Sequence, residues 1–521
     1  MRLSSLRASL LLISIAAVAC SDDASDNPDW AVVDGSTNPD GSSGTDGSTN
    51  TDGSIATDGA TPTADVVPMV SLSAPAVARG STYRGFPENF NRYYTDPSYK
   101  PAKIIYVSPT GGGNGQTKQT PTTVTAGMAA ATPGTEVYFV TGTYSGCYEI
   151  GSGKGGTYDD PIVLYGERQA NSRSVVMNCC ATGRQTCINL EAASYVAVDG
   201  FELVGGSYGV RSVGEDYAAT KHTKGNAVLD CDGHDQNKDP FFTGATDWFV
   251  IEKNLAYGAK AGDGHGIYLS NGSDWNIARQ NELYNDASAD FQINADPGST
   301  CTDIGIDVSS PDCDAVAGTP GDGGRGASDF MLIESNFFHD GLAQGANFTS
   351  ARHSIVRDNI FAVYAKHGVS FWQETTNPKL GASDNQILHN LFVAKVANRQ
   401  MIQFVVSSDR NVVENNVFVG VGSGMIAMEV DNTVGANTYV HNAYINAALD
   451  GRTAGAQELV VATLDQAWFT AFPSGASSNA ANWGPSATAG FLNLGALNAN
   501  ATLDRTGKAR AAPTDLGPFE R

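Results

Sequence analysis

Two short stretches carry the groups most able to do chemistry. "GAKAGDGHGIY", residues 258–268, holds Lys260, Asp263, His265 and Tyr268. "YAKHGVSFWQE", residues 364–374, holds Lys366, His367, Trp372 and Glu374. Each reads Ala-Lys, then His-Gly, then an alternating apolar run, the layout of a turn that feeds a strand. A lysine can take a proton or hold an anion, a histidine can do acid–base work, and a tryptophan can stack on a sugar ring. The plainer roles are solvated lysines and turn histidines bonded to their own backbone. Asp290, Asn294 and Asp296 lie between the two stretches in chain order. A third cluster, "LDCDGHDQNKD" at 229–239, offers Asp230, Asp232, Asp235 and Asp239 with Asn237. Such oxygen donors on one short loop suit a hard cation such as calcium, although the closing Glu of an EF-hand is missing; a plain acidic loop is the alternative. No nucleophile elbow or phosphate-binding loop is present, and the sequence singles out no pair of carboxylates for hydrolysis.

The elements that must position these groups form a repeat. Asn254, Asn281, Asn336, Asn359, Asn390, Asn416 and Asn442 recur at spacings of 27, 55, 23, 31, 26 and 26. The 55 is one period plus an insertion that contains Cys301 and Cys313. Three residues before each Asn stands Ile251, Ala278, Ile333, Val356, Ile387, Val413 or Tyr439. Two after it stands Ala256, Leu283, Phe338, Phe361, Phe392, Phe418 or Tyr444. A second alternating strand follows, with inward pairs such as Ile267/Leu269, Phe291/Ile293 and Val369/Phe371. Short period-2 strands at this spacing, without intervening helices, predict a parallel β-solenoid whose coils stack ~4.8 Å apart. Aligned Asn side chains would then bond along the axis and satisfy turn backbone. Two residues before the Asn, Glu252, Arg279, Glu334 and Arg357 alternate in sign, which predicts a surface salt ladder.

In the strand after each Asn, the residues between the inward pairs are Tyr268, Gln292, Asn347, Ser370, Gln403 and Ala427. Five of these six can hydrogen-bond, and with Trp372 they are the expected binding face for a polymer. A soluble outer face needing no ligand is the alternative.

Residues 100–521 as a whole resemble the right-handed parallel β-helix family that includes bacterial pectate-lyase-like proteins. "KIIYVSPTGGGNGQTKQTPTTVTAGMAAATPGTEVYFVTGTYSG" is similar to the family's opening, with a capping helix near 123–131. "PIVLYGE" and "YVAVDGFEL" resemble its first coils, and "LDRTGKARAAPTDLGPFER" its closing segment. The resemblance implies a polysaccharide partner and, in the lyase members, β-elimination on uronates with Lys or Arg as base and calcium as cofactor. It makes Lys260 and Lys366 base candidates and Asp263 a calcium ligand, with His265 and His367 as acid or sugar contacts. The run of adjacent aspartates typical of calcium-dependent members is missing. The family also includes hydrolases, epimerases and adhesins.

The start, "MRLSSLRASLLLISIAAVAC", has two arginines, an apolar run and small residues before Cys20. This is a signal peptide over 1–20 whose end resembles a lipobox, with Cys20 as the lipidation site; cleavage near Ala19 is the alternative. Residues 21–66 hold ten Asp and no Lys, Arg or Glu, which predicts a disordered tether. The chain carries a net charge of −23, of which −15 falls on the body after residue 66, and this excludes generic nucleic-acid binding. Of eight cysteines, seven remain after Cys20. Export permits disulfides; Cys301–Cys313 is the easiest pair, Cys179 or Cys180 could join Cys187 or Cys147, and one thiol is left over. The expectation is therefore an exported, lipid-anchored monomer on an outer membrane or cell surface, or else a secreted one. Its single β-helix domain spans 67–521, with an N-terminal opening and capping helix over 67–135, coils over 136–446 and an irregular C-terminal cap over 447–521. Its expected activity is lysis of acidic glycans; the alternative is a non-catalytic glycan-binding or adhesion protein.

Overall fold

The computed structural model describes residues 90–169, 172–179, 185–317, 326–362, 364–395, 400–431, 434–472 and 479–521. The leader with Cys20, the 21–66 tract and Cys180 lie outside them. The described residues belong to one compact unit, Gly35–Arg521.

The chain winds through three parallel sheets in turn, here I, II and III, of twelve, twelve and eleven strands. One coil runs through Val250–Glu252 in sheet I, Leu255–Tyr257 in sheet II and Ile267–Ser270 in sheet III. The next runs through Ile277–Arg279, Glu282–Tyr284 and Phe291–Asn294. Each strand pairs in parallel with its equivalent one coil on, as in Val250↔Ile277, Leu255↔Glu282 and Ile267↔Phe291. The repeat read from the Asn residues is thus the coil of a parallel β-helix. Its strands run from Lys103–Val107 to Leu459–Val461, beyond 136–446 at both ends.

The seven Asn side chains form the expected ladder between sheets I and II. Asn281 Oδ1 accepts from the Asn254 backbone N–H at 2.9 Å, Asn336 from Asn281 at 3.0 Å, Asn359 from Asn336 at 2.9 Å, and so on to Asn442. Each Nδ2 also donates to the next Asn or to a backbone carbonyl. The residue before each Asn turns the corner with positive φ, for example 60° at Lys253, 55° at Gln280 and 57° at Asp358. An L residue pays a steric penalty there, and the buried amide bonds hold the turn against it.

Inside the coils, Phe338, Phe361, Phe392, Phe418 and Tyr444 stack with ring centroids 4.5–5.3 Å apart. Phe348, Phe371 and Phe404 form a second stack at 5.0 Å. The helix Val124–Ala129 closes the N-terminal end, capped by Thr123, with Val124 and Met128 in the core.

The alternating ladder Glu252–Arg279–Glu334–Arg357 is not on the surface. Arg279 is 0 % exposed and lies 3.1 Å from Glu252 and 3.5 Å from Glu334; Arg357 Nε meets Glu334 at 2.9 Å. The reason is that the chain ends fold back over sheet I. Tyr94 donates to Glu252 at 3.0 Å from one side, and the Asn500 carbonyl accepts from Arg357 on the other. The C-terminal segment likewise packs Phe469, Trp483, Phe491 and Leu516 on the apolar outer residues of sheet II.

The long Asn spacing contains the predicted excursion, with helix Pro297–Thr302 and a Cys301–Cys313 disulfide. A second disulfide joins Cys147 to Cys179. The expected single leftover thiol is not what is found: Cys187 and Cys231 are both reduced and buried.

Candidate functional site

The outer face of sheet III is the face that neither chain end covers in the contacts above. Its central column is in register: Phe242↔Tyr268↔Gln292↔Asn347↔Ser370↔Gln403. The column continues to Glu429, not to Ala427. Ala427 is fully buried in the core, because Met428 is the inward residue opposite Ile402 and moves the outward position by two. The side chains satisfy one another. Asn347 Nδ2 donates to Gln292 at 2.9 Å, Trp372 Nε1 to Asn347 Oδ1 at 2.7 Å, Ser370 to Gln403 at 3.3 Å and Gln403 to Glu429 at 2.8 Å. Trp372 closes the strand Val369–Trp372 and is partly exposed.

A second outward column lies beside the first: Ser270↔Asn294↔Thr349↔Trp372. Beside it lie two carboxyls far apart in the chain, Asp296 and Glu374. Asn294 Nδ2 donates to Glu374 Oε1 at 3.0 Å, while Asn294 Oδ1 accepts from the Asp296 backbone N–H at 2.9 Å. Glu374 is exposed, yet desolvation by the groove and then the Asp296 charge push its carboxyl up from the ordinary carboxylate range. Tyr268 is pushed well up by burial, with Asp296 and Glu374 among its neighbours, and keeps its phenolic proton. Thr349, fully buried between Asn294 and Trp372, leaves its hydroxyl without a hydrogen-bond partner among the described residues.

The corner between sheets II and III holds the expected lysines and histidines. Lys260 lies 3.3 Å from Asp235 with its side chain 56 % exposed. Lys366 stands on the same corner three coils further on, ~14 Å along the axis at ordinary strand spacing. The two lysines therefore cannot meet at one sugar ring. His265 and His367 are both buried. His265 takes the architectural role: its backbone N–H donates to Asp239 at 2.8 Å, its Nδ1 lies 2.9 Å from the Ala289 carbonyl, and its ring meets Tyr268 edge-on. Beneath this corner Asp286 and Asp290 are fully buried, and burial pushes both carboxyls well up, as it does that of Asp239.

The 229–239 cluster is not one loop. Asp232–His234 is a strand of sheet II and Asp239 opens a strand of sheet III, so alternation and the intervening turn send the carboxylates apart. Asp230 pairs with Arg168 and Arg173, Asp235 with His234 and Lys260, and Asp239 is buried. Asp263 faces Lys238 at 3.3 Å. Among the described residues no group of three or more His, Cys, Asp or Glu is placed to hold a metal ion. These aspartates thus do not fit a bound calcium ion.

On sheet II, His234, Tyr257, Tyr284 and His339 stack at 4.8–4.9 Å. Their inner faces are used on one another, which leaves edges rather than platforms for a sugar.

No family model matches this sequence, and no curated protein matches it. Solved structures do. A crystal structure of the pectate lyase Pel9A aligns with 81 % of this chain and 98 % of its own, with a TM-score of 0.52 at 15 % identity. The chain is a right-handed parallel β-helix. Two further likenesses are an alginate lyase from Paenibacillus sp. str. FPU-7 (TM-score 0.42, 14 % identity, 64 % of this chain and 99 % of that) and the A-module of the Azotobacter vinelandii mannuronan C-5 epimerase AlgE4 (0.38, 13 %, 65 % and 93 %).

Proposed function

We propose that the protein binds an acidic polysaccharide along the outer face of sheet III and cleaves it by β-elimination. The observation that carries this reading is the pair of outward columns. They place amides, hydroxyls, Tyr268 and Trp372 in line over successive coils, with the Asp296–Glu374 carboxyls on one rim. A row of hydrogen-bonding groups at ~4.8 Å intervals with aromatic platforms suits a polymer of sugar rings. The fold shared with a pectate lyase supports the reaction class. Export, with lipid on Cys20 as the anchor, suits a polymer met outside the cell, and the two disulfides support an oxidising compartment.

Elimination needs a base for the C5 proton of the uronate. Lys260 stands on the corner that precedes the strand of Tyr268, at the opposite end of that strand from Asn294 and Asp296, so the sugar it serves lies at the corner end of the groove. It is the assigned base, and a bound sugar must displace its Asp235 partner. Lys366 is too far along the axis to share the ring.

A non-catalytic glycan-binding role has one observation in its favour: the column side chains are already bonded to each other. Incubating the full chain with polygalacturonate, alginate and glycosaminoglycans, and following absorbance of the unsaturated product, separates the two. The lyase reading expects product that is lost in Lys260→Ala and kept in Lys366→Ala. Retention on a glycan column without product from any polymer would leave only the binder.

A further inference from the structure

The outer face of sheet I is sealed only in part. The segment Arg92–Thr95 covers it from Asp199 onward, where the Tyr93 hydroxyl donates to the Asp199 carboxylate and Tyr94 to Glu252. Three strands come before: Lys103–Val107, Thr135–Phe139 and Ile162–Gly166. Their outward residues Tyr106, Tyr138 and Tyr165 stand in register on successive coils, and all three stay partly exposed. The exposed Ile104 lies beside Tyr106 on the first strand.

The ring geometry differs from that of the sheet II stack. Neighbouring centroids are 5.2 and 5.3 Å apart, but the rings are tilted by 52° and 40°. On sheet II the tilts are 6–15°. A parallel stack spends the faces of its inner rings on one another, whereas tilted rings keep a face turned outward. Two cations reach those faces: Lys118 Nζ stands 4.5 Å from the Tyr138 centroid, and the Arg168 guanidinium 5.2 Å from that of Tyr165. Lys118 is carried there by the Gly-rich loop after the first strand. Its Gly115 carbonyl accepts from the Tyr106 N–H at 2.8 Å, and its Thr122 N–H donates to the Tyr106 carbonyl at 2.9 Å.

We propose that this strip is a second, non-catalytic site that binds a neutral polysaccharide. Phenol faces in line at coil spacing take the C–H faces of successive sugar rings. The rim offers donors and acceptors together, as sugar hydroxyls require: Lys118 lies 2.7 Å from Glu167, which also accepts from the Thr141 N–H at 2.8 Å. The charges decide against a polyanion. Lys118 is matched by Glu167, Arg168 by Asp199 and Asp230, and Glu136 stands outward in the neighbouring column. No surplus of positive charge is left to attract a polyuronate. The Lys118–Glu167 pair is exposed and therefore weak, so Lys118 can leave the Tyr138 face when a sugar arrives. A strip one residue wide is too narrow for a stable protein partner. This inference goes beyond the lyase reading and does not depend on it: the protein would hold one polymer on sheet I while sheet III works on another.

The test is electrophoresis of the full chain through gels holding hydroxyethyl cellulose, mixed-linkage β-glucan, galactomannan or polygalacturonate. Wild type should be retarded by at least one neutral polymer. Tyr138→Ala should weaken that retention about 10-fold, the scale of one lost ring contact, while Tyr138→Phe keeps it. Release of unsaturated product from polygalacturonate should be the same in all three. No retardation by any neutral polymer overturns the proposal, as does equal retention of wild type and Tyr138→Ala. Retention by polygalacturonate alone that Tyr138→Ala abolishes overturns it too, because the strip then binds a polyanion. All of these leave the lyase reading standing, whereas absence of product from every uronate removes that reading and leaves this site. If Tyr138→Ala fails to fold, hydrogen exchange of the wild type with a cello-oligosaccharide decides. Added protection in Lys103–Val107 and Thr135–Phe139 is expected, and none there overturns the proposal.

Discussion

The outer faces of sheets I and III are built on the same backbone and treat charge in opposite ways. On sheet I, Glu252, Arg279, Glu334 and Arg357 alternate, lie buried under both chain ends, and are each matched by an opposite charge one coil away. On sheet III, the Asp296 charge acts on Glu374, Asn294 bonds both the Glu374 carboxyl and the Asp296 backbone, and the neighbouring column supplies amides and hydroxyls rather than cations. A buried charge that its neighbours neutralise is architecture. A solvent-open acid held next to another acid is an unresolved cost to the fold, and such costs concentrate where a ligand resolves them.

This contrast can be broken at several points. The largest effect belongs to sheet I: Arg279→Ala leaves Glu252 and Glu334 buried without their cation, and denaturant unfolding should show a loss of about 3–5 kcal/mol. Next comes the Asn ladder, where Asn336→Ala removes a side chain bonded to both neighbouring coils. It should cost about 2 kcal/mol, the range for orphaned buried partners.

A smaller and pH-dependent effect lies under the wall of sheet III. Asp286 and Asp290 have carboxyl values raised above the ordinary one, by burial first and, for Asp286, by its neighbour Asp290 second. The folded state therefore binds more protons than the unfolded state between the ordinary value and the raised one. Stability is full below that window and falls as pH rises through it. Asp290→Asn should flatten this fall in melting temperatures taken across the pH range. The smallest structural effect is on the binding column itself. Asn347→Ala removes hydrogen bonds to Gln292 and Trp372 and should cost about 1 kcal/mol, while weakening retention on a polyuronate column.

The sequence made the coil legible because a corner with one recurring residue at one phase is a local, repeated requirement. Asn254 to Asn442 mark it, and the inward positions follow by alternation. A second ladder is equally readable: Asn276, Asn385, Asn411 and Asn437 stand five residues before ladder asparagines and bond along the axis in the same way. Burial of the charge ladder could not be read, since it depends on Tyr94 and Asn500 returning from the ends of the chain. The binding column was found by alternation except at Ala427, where one displaced inward residue moved the register. The Asp296–Glu374 pair was not found because 77 intervening residues, including the insertion, separate its members. Lys260 and Lys366 share a local Ala-Lys, His-Gly pattern, and the fold sets them three coils apart.

The proposed working surface is the outer face of sheet III. Hydrogen exchange of the full chain with and without a uronate oligosaccharide tests it most directly. The account predicts added protection in Ile267–Ser270, Phe291–Asn294, Ala346–Thr349 and Val369–Trp372 and in the segment through Glu374, with the outer strands of sheets I and II unchanged. Protection centred on the His234–Tyr257–Tyr284–His339 stack of sheet II, with none on sheet III, would contradict it.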